Sequence, residues 1–155
     1  MSIKRLHIEN YKSLIRSLRW CGMATQEKDL EDKIIKYFTA LECLLVPEHE
    51  GLKGDVLAER ISILWTSSEE SRRRVSQIIY DPDEDSGLYK KRSNVIHGSE
   101  YEVSEKDVSV LDYITRNIIA IISEEVSKRG FTRINQLIEW IDNQKAIRST
   151  STSEL

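Results

Sequence analysis

Glycine and proline are scarce in this sequence. The 155 residues include 6 Gly and 2 Pro, roughly 5% of the chain, whereas about 12% is average. A β-rich fold needs a Gly or Pro turn signal about every ten residues, so this scarcity argues against one. It also excludes collagen-like, proline-rich and Gly/Ser-linker architectures.

Cysteine clusters, long apolar runs and a large net charge are lacking as well. Cys21 and Cys43 have neither CxxC spacing nor a nearby His cluster, so we expect no metal site and no cofactor. No run approaches the roughly 18 apolar residues of a membrane span, and the N-terminus has no signal-peptide core. These features predict a cytoplasmic protein without a membrane partner. The net charge of −3 means that nucleic-acid binding would need a local basic patch.

What the sequence does contain is a mixture typical of amphipathic helices, with 39% hydrophobic and 32% charged residues. Apolar residues recur at three-to-four spacing in about six to seven segments. This pattern predicts an all-α fold: a single helical bundle over residues 1–147, followed by a disordered polar tail over residues 148–155.

Several residues are predicted to mark helix ends. Gly22, Gly98 and Gly130 are expected to stop helices, because glycine readily adopts the left-handed conformation found there. Ser104, followed three residues later by Asp107, resembles a capping box at the start of the longest helix.

One short predicted helix, from about Leu88 to His97, carries the main candidate site. On a helix, Arg92 shares a stripe with Leu88 and Val95. A guanidinium on such an apolar face needs an anionic partner or a polar cleft.

His97 ends the same helix. Ser93 and Asn94 lie one turn before His97, where they are expected to orient its imidazole. An Arg that holds a phosphate and a His that moves protons suffice for metal-free RNA cleavage by the ribose 2′-OH. We therefore assign catalytic roles to Arg92 and His97 and supporting roles to Ser93 and Asn94.

Two further charged residues lie on apolar stripes of other predicted helices. Glu42 lies between Phe38 and Leu45, and Arg60 lies before Leu64. Opposite charges that face one core indicate a buried ion pair, either Glu42–Arg60 or Glu42–Arg92. The second pairing would fix Arg92 for phosphate contact, whereas the first would be architectural.

Basic residues near these helices are candidates for RNA binding. Lys90 and Lys91 adjoin Arg92, and a basic run comprises Arg72, Arg73 and Arg74. Such a run can bind phosphates, but it can equally be a solvated helix face paired with the two preceding glutamates.

The segment Arg-Ser-Asn-Val-Ile-His-Gly, residues 92–98, resembles the Arg-x4–6-His motif of the HEPN superfamily (higher eukaryotes and prokaryotes nucleotide-binding). Upstream, KYFTALECLL (36–45) and LAERISIL (57–64) are similar to the Apea-like HEPN branch in order and spacing. The likeness covers roughly residues 30–125.

This resemblance implies a helical bundle that forms a homodimer around the motif helices. The paired Arg and His residues of two subunits would then form a metal-independent endoribonuclease site. It also implies RNA as substrate and a role in toxin–antitoxin or antiviral defence, with an antitoxin or defence partner. Some members have lost catalysis, so the alternative is an inactive module that binds RNA, a nucleotide or a protein.

Overall fold

Seven helices occupy the described part of the chain, which in this computed structural model comprises residues 12–51, 54–99 and 102–152, the last five as backbone alone. In chain order they are α1 (Lys12–Gln26), α2 (Leu30–Leu45), α3 (Gly54–Trp65), α4 (Glu69–Ile79), α5 (Leu88–Ile96), α6 (Glu105–Arg129) and α7 (Ile134–Thr152). The predicted all-α helical bundle is confirmed. Residues 1–11 and 153–155 of the predicted domain and tail lie outside the described residues.

Helix α2 lies at the centre of the bundle. It packs against α1, α3, α5, α6 and α7. Its spacing of apolar residues explains this position, because the buried residues cover more than one face. They are Ile34, Tyr37, Phe38, Ala40, Leu41, Leu44 and Leu45. Burial of these side chains supplies much of the hydrophobic stabilisation, at about 1.5–3 kcal/mol for each large one.

Helix α6 forms the second wall of the core and has well-defined ends. The Ser104 hydroxyl accepts from the Asp107 backbone N–H at 3.1 Å, and the Asp107 carboxylate accepts from the Ser104 N–H at 2.9 Å. Gly130 ends the helix with φ of 67°. The predicted capping box and glycine stop are therefore confirmed.

Two predicted helix ends are wrong. Gly22 lies inside α1, which continues to Gln26. A glycine within a helix costs only about 1 kcal/mol, and the buried side chains of Cys21 and Ala24 extend the packed face past it. Helix α7 also continues beyond residue 147 to Thr152, because adding a residue to an existing helix is far easier than nucleating one. The tail predicted to be disordered thus begins as helix.

No helix in the described ranges is long and apolar enough to cross a membrane.

Candidate functional site

Glycine fixes both ends of the short helix α5. Gly87 precedes it with φ of 104°, and a Cβ there would lie 2.8 Å from the Ile79 carbonyl oxygen. No L-residue with a side chain fits that space without moving the backbone. Gly87 therefore allows α5 to begin at Leu88, as predicted.

The C-terminal end of α5 is a Schellman motif. Gly98 adopts φ of 67°. Its N–H donates to the Val95 carbonyl at 3.2 Å, and the Ser99 N–H donates to the Asn94 carbonyl at 2.9 Å. This pair of bonds around a left-handed glycine defines the motif. His97 is consequently the last residue before the chain turns away, with φ of −86° and ψ of 2°.

Aromatic packing holds α5 against the bundle. The Tyr89 ring makes edge-to-face contacts with Phe38 and Tyr80, each with ring centroids 5.8 Å apart. Gly54, at the start of α3, faces the same ring so closely that a Cβ would lie 2.5 Å from a Tyr89 ring carbon. Sequence reasoning missed this contact, because the absence of a side chain at Gly54 leaves no periodic signal.

Arg92 pairs with Glu42 of α2. Arg92 Nη2 lies 3.0 Å from Glu42 Oε1, and the two side chains are 17% and 22% exposed. This result selects Glu42–Arg92 from the two pairings that the sequence left open. The Arg92 guanidinium also lies 5.7 Å from the centre of the Tyr89 ring, within the range of a cation–π contact.

The Glu42–Arg92 pair is imperfectly satisfied. Glu42 Oε1 and Arg92 Nε are both buried, yet neither makes a hydrogen bond with a described residue. Burial raises the pKa of the Glu42 carboxyl, and the positive charge of Arg92 offsets this only in part. The pair thus holds Arg92 in place while leaving hydrogen-bonding capacity unused.

His97 is exposed, whereas Ser93 and Asn94 are partly buried. No side-chain hydrogen bond joins the His97 imidazole to either residue within the described ranges. The backbone of His97 has left the helical conformation, so one-turn spacing no longer aligns its side chain with theirs. The orienting roles of Ser93 and Asn94 stay predictions.

Lys90 and Lys91 both engage carboxylates of the same chain. Lys90 Nζ lies 2.6 Å from Asp85 of the preceding loop, and Lys91 Nζ lies 2.6 Å from Asp107 of α6. Together with Arg92–Glu42, these pairs connect α5 to three neighbouring segments. RNA contact by either lysine would have to compete with its carboxylate.

Arg60 lies away from Glu42 and has its own partners. Its side chain is 6% exposed, and Nη1 donates to the Leu45 carbonyl at 2.7 Å. Nη1 and Nη2 also donate to the two carboxylate oxygens of Glu50, at 2.6 and 2.9 Å. Arg60 therefore ties α3 to the end of α2 and to the loop that follows. Its geometry is that of an architectural residue.

The three consecutive arginines of α4 lie in two different environments. Arg73 and Arg74 pair with Glu69 and Glu70, one turn earlier, and are 70% and 73% exposed. These pairs are those that a solvated helix face would make. Arg72, in contrast, is partly buried. Arg72 lies one and two turns before the buried residues Val75 and Ile79, and this spacing could have distinguished it from Arg73 and Arg74 in the sequence.

Asp107 joins the α6 cap to α5. Burial alone would raise its pKa, but hydrogen bonds from Lys91 and from the Ser104 N–H and hydroxyl outweigh burial, so the pKa lies below the ordinary value of 3.8. Because the folded pKa is depressed, its stabilising contribution is present above the unfolded pKa and is lost as pH falls below about 4.

We therefore expect Asp107→Asn to lower the free energy of unfolding by about 1 kcal/mol at neutral pH, because it removes the ion pair with Lys91 and a negative charge from the first turn of α6. Urea unfolding of both proteins at neutral pH and near pH 3 would test this. The difference between them should shrink in acid, where Asp107 itself becomes protonated. A difference that grows in acid would contradict the assignment.

In the described ranges, no group of three or more His, Cys, Asp or Glu side chains is arranged to hold a metal ion. Fold and site together define an all-α bundle with an Arg–His pair on one short, glycine-bounded helix. Comparison of the chain with family models, curated proteins and solved structures gives no match.

Proposed function

We propose that this protein is a metal-independent endoribonuclease of the HEPN type, with Arg92 and His97 as its catalytic residues. The observation that supports the proposal is the arrangement of α5. One short helix, bounded by Gly87 and Gly98, bears a partly buried arginine held by an ion pair and an exposed histidine at its end.

The proposed reaction needs no metal. The ribose 2′-oxygen attacks the adjacent phosphorus, and the bond from phosphorus to the 5′-oxygen breaks, which leaves a 2′,3′-cyclic phosphate and a 5′-hydroxyl. His97 either accepts the 2′-OH proton or donates a proton to the leaving oxygen. Arg92 stabilises the charge that develops on the phosphate oxygens. A homodimer through the motif helices would supply both protonation states from two copies of His97.

Glu42 positions Arg92 in this scheme. The pair is 3.0 Å apart and retains a buried Arg92 N–H that makes no hydrogen bond with the described residues. A phosphate oxygen is a strong acceptor for a guanidinium, so bound RNA would accept from Arg92 where its side chain is exposed, while Glu42 limits its rotation. Lys90 and Lys91 would add phosphate contacts if they release Asp85 and Asp107 and bind the RNA instead. An antitoxin or another defence component is the proposed partner in the cell.

A second candidate is a non-catalytic module that binds RNA, a nucleotide or a protein. The observation that favours it is the pairing of Arg92, Lys90 and Lys91 with carboxylates of the same chain. In that case the three ion pairs serve mainly to hold α5 on the bundle.

In both candidate functions Arg92 also stabilises the fold, and unfolding experiments can measure this contribution. We expect Arg92→Ala to lower the free energy of unfolding by about 1–3 kcal/mol, because it leaves the Glu42 carboxylate partly buried without a countercharge. Adding Glu42→Gln to this variant should restore part of the loss, since the unpaired charge is then removed. Denaturant unfolding would measure both effects. A double variant less stable than Arg92→Ala would contradict this account of the pair.

The experiment that separates the two candidates is RNA cleavage by the wild-type protein in EDTA. A ribonuclease should cut single-stranded RNA and leave 2′,3′-cyclic phosphate ends. A binding module should leave the RNA intact. The mass of the protein in solution tests the two-subunit site, and a strict monomer would argue against it.

A further inference from the structure

A cleft of about 640 Å³ is lined by residues of α3 and α4, by Tyr80 and Pro82 of the loop that follows, and by Lys145 of α7. This volume lies within the range of small-molecule sites. Apolar groups of Val56, Ile63, Tyr80 and Pro82 form part of its wall. It shares no lining residue with the Arg92–His97 helix and is therefore independent of the proposed ribonuclease site.

Most charges around the cleft are paired with one another. Lys145 Nζ lies 2.7 Å from a Glu59 carboxylate oxygen, and Arg73 Nη2 lies 3.8 Å from one of Glu69. These four side chains therefore contribute little net charge to the space between the helices.

Arg72 is the exception among the described cations of the cleft. Its guanidinium makes no ion pair or hydrogen bond with a described residue, and its Nε is buried. A partly buried guanidinium without a carboxylate is unfavourable, because water no longer solvates it fully and nothing replaces that solvation. The sequence places it there, since Arg72 lies on the face of α4 that carries buried Val75 and Ile79.

We propose that this cleft binds a small organic oxyanion, a carboxylate or a phosphate monoester with an apolar body, and that Arg72 is its anchor. The oxyanion would accept hydrogen bonds from the guanidinium, which is suited to planar, two-point recognition. The apolar body would pack against Tyr80 and Ile63.

The carboxylates at the cleft argue against a nucleic-acid strand as the occupant. Asp55, Glu59 and Glu69 line it together with Arg72, Arg73 and Lys145, so the described lining has no excess of positive charge to hold a run of phosphates. A single anionic group can instead reach Arg72 while the rest of the molecule stays uncharged. The charge pattern therefore favours a small molecule with one anionic group, and under this proposal Arg72 does not contact RNA.

The test uses benzoate and phenyl phosphate as probes, with benzyl alcohol as the uncharged control. NMR of the arginine Nε–H groups follows Arg72 directly in the wild-type protein, and the signal lost in Arg72→Gln assigns it. We expect a saturable shift of this signal with at least one of the two anions, and none with benzyl alcohol. The anion that binds more tightly identifies the oxyanion class.

Matched variants then test the anchor. Arg72→Gln should weaken binding of that probe by about tenfold or more, the size expected for one lost charged hydrogen bond. Arg74→Gln removes the same charge from an exposed position on the same helix and should leave the affinity within about twofold. His97→Ala should have no effect, which separates this site from the proposed ribonuclease site.

Three outcomes would overturn the proposal. They are the absence of a saturable Arg72 shift with either anion, equal affinity of Arg72→Gln and wild type, and binding of benzyl alcohol as tight as that of the anions. A single-stranded oligonucleotide that shifts the Arg72 signal and loses affinity in Arg72→Gln would also overturn it, in favour of RNA. All arginine Nε–H signals are read in the wild-type protein, so the absence of any saturable shift overturns the proposal even if no variant folds.

Discussion

Replacing His97 by alanine is expected to reduce RNA cleavage by about 100- to 10,000-fold, the contribution of one general acid or base. The size follows from its position in the proposed reaction, where it moves the proton of the 2′-OH or of the leaving oxygen. The fold should be unaffected, because the His97 side chain is exposed. Its free energy of unfolding should stay within about 0.5 kcal/mol of wild type. Cleavage rates in EDTA and denaturant unfolding measure the two quantities.

His49 provides the matched control. It is also exposed and lies in the loop between α2 and α3, so His49→Ala removes an imidazole without touching α5. We expect its cleavage rate to equal that of wild type. A His97→Ala protein that cleaves RNA at the wild-type rate would reject the catalytic assignment. A wild-type protein that cleaves no RNA would favour the binding module instead.

Local sequence signals predicted where the helix of the candidate site ends and where α6 begins. Gly98 takes a left-handed conformation that side chains disfavour, and the Ser104–Asp107 box satisfies the first backbone groups of α6. Both effects act within a few residues, so the sequence shows them directly. Gly22 failed as a signal for the opposite reason, since packing of α1 against α2 overrides a weak local preference.

Partners across the fold were harder to predict. Glu42 faces the core and could have met either arginine, and the choice depends on how α3 and α5 lie against α2. Glu50, which binds Arg60, lies in a loop without periodicity. No pattern within one segment indicates such a contact. The sequence thus predicted that buried arginines need carboxylates, but not which carboxylate each would take.

The second large effect is expected from substitution of Arg60, and it acts on stability. Arg60→Ala is expected to lower the free energy of unfolding by about 2–4 kcal/mol, the size expected when the charged hydrogen bonds of a buried guanidinium are lost. Two losses combine. The Leu45 carbonyl loses the hydrogen bond from Nη1, and the two-point contact with Glu50 that fastens the α2–α3 loop disappears.

Arg74→Ala is the control for this measurement, because Arg74 is 73% exposed and pairs within its own helix. That change should lie within about 0.5 kcal/mol of wild type. Urea unfolding at neutral pH would compare the three proteins. An Arg60→Ala protein as stable as Arg74→Ala would show that Arg60 does not fasten this loop, and a role at a functional site would have to be reconsidered. A large loss places the role of Arg60 in architecture, so that of the two arginines on apolar helix stripes only Arg92 remains for chemistry.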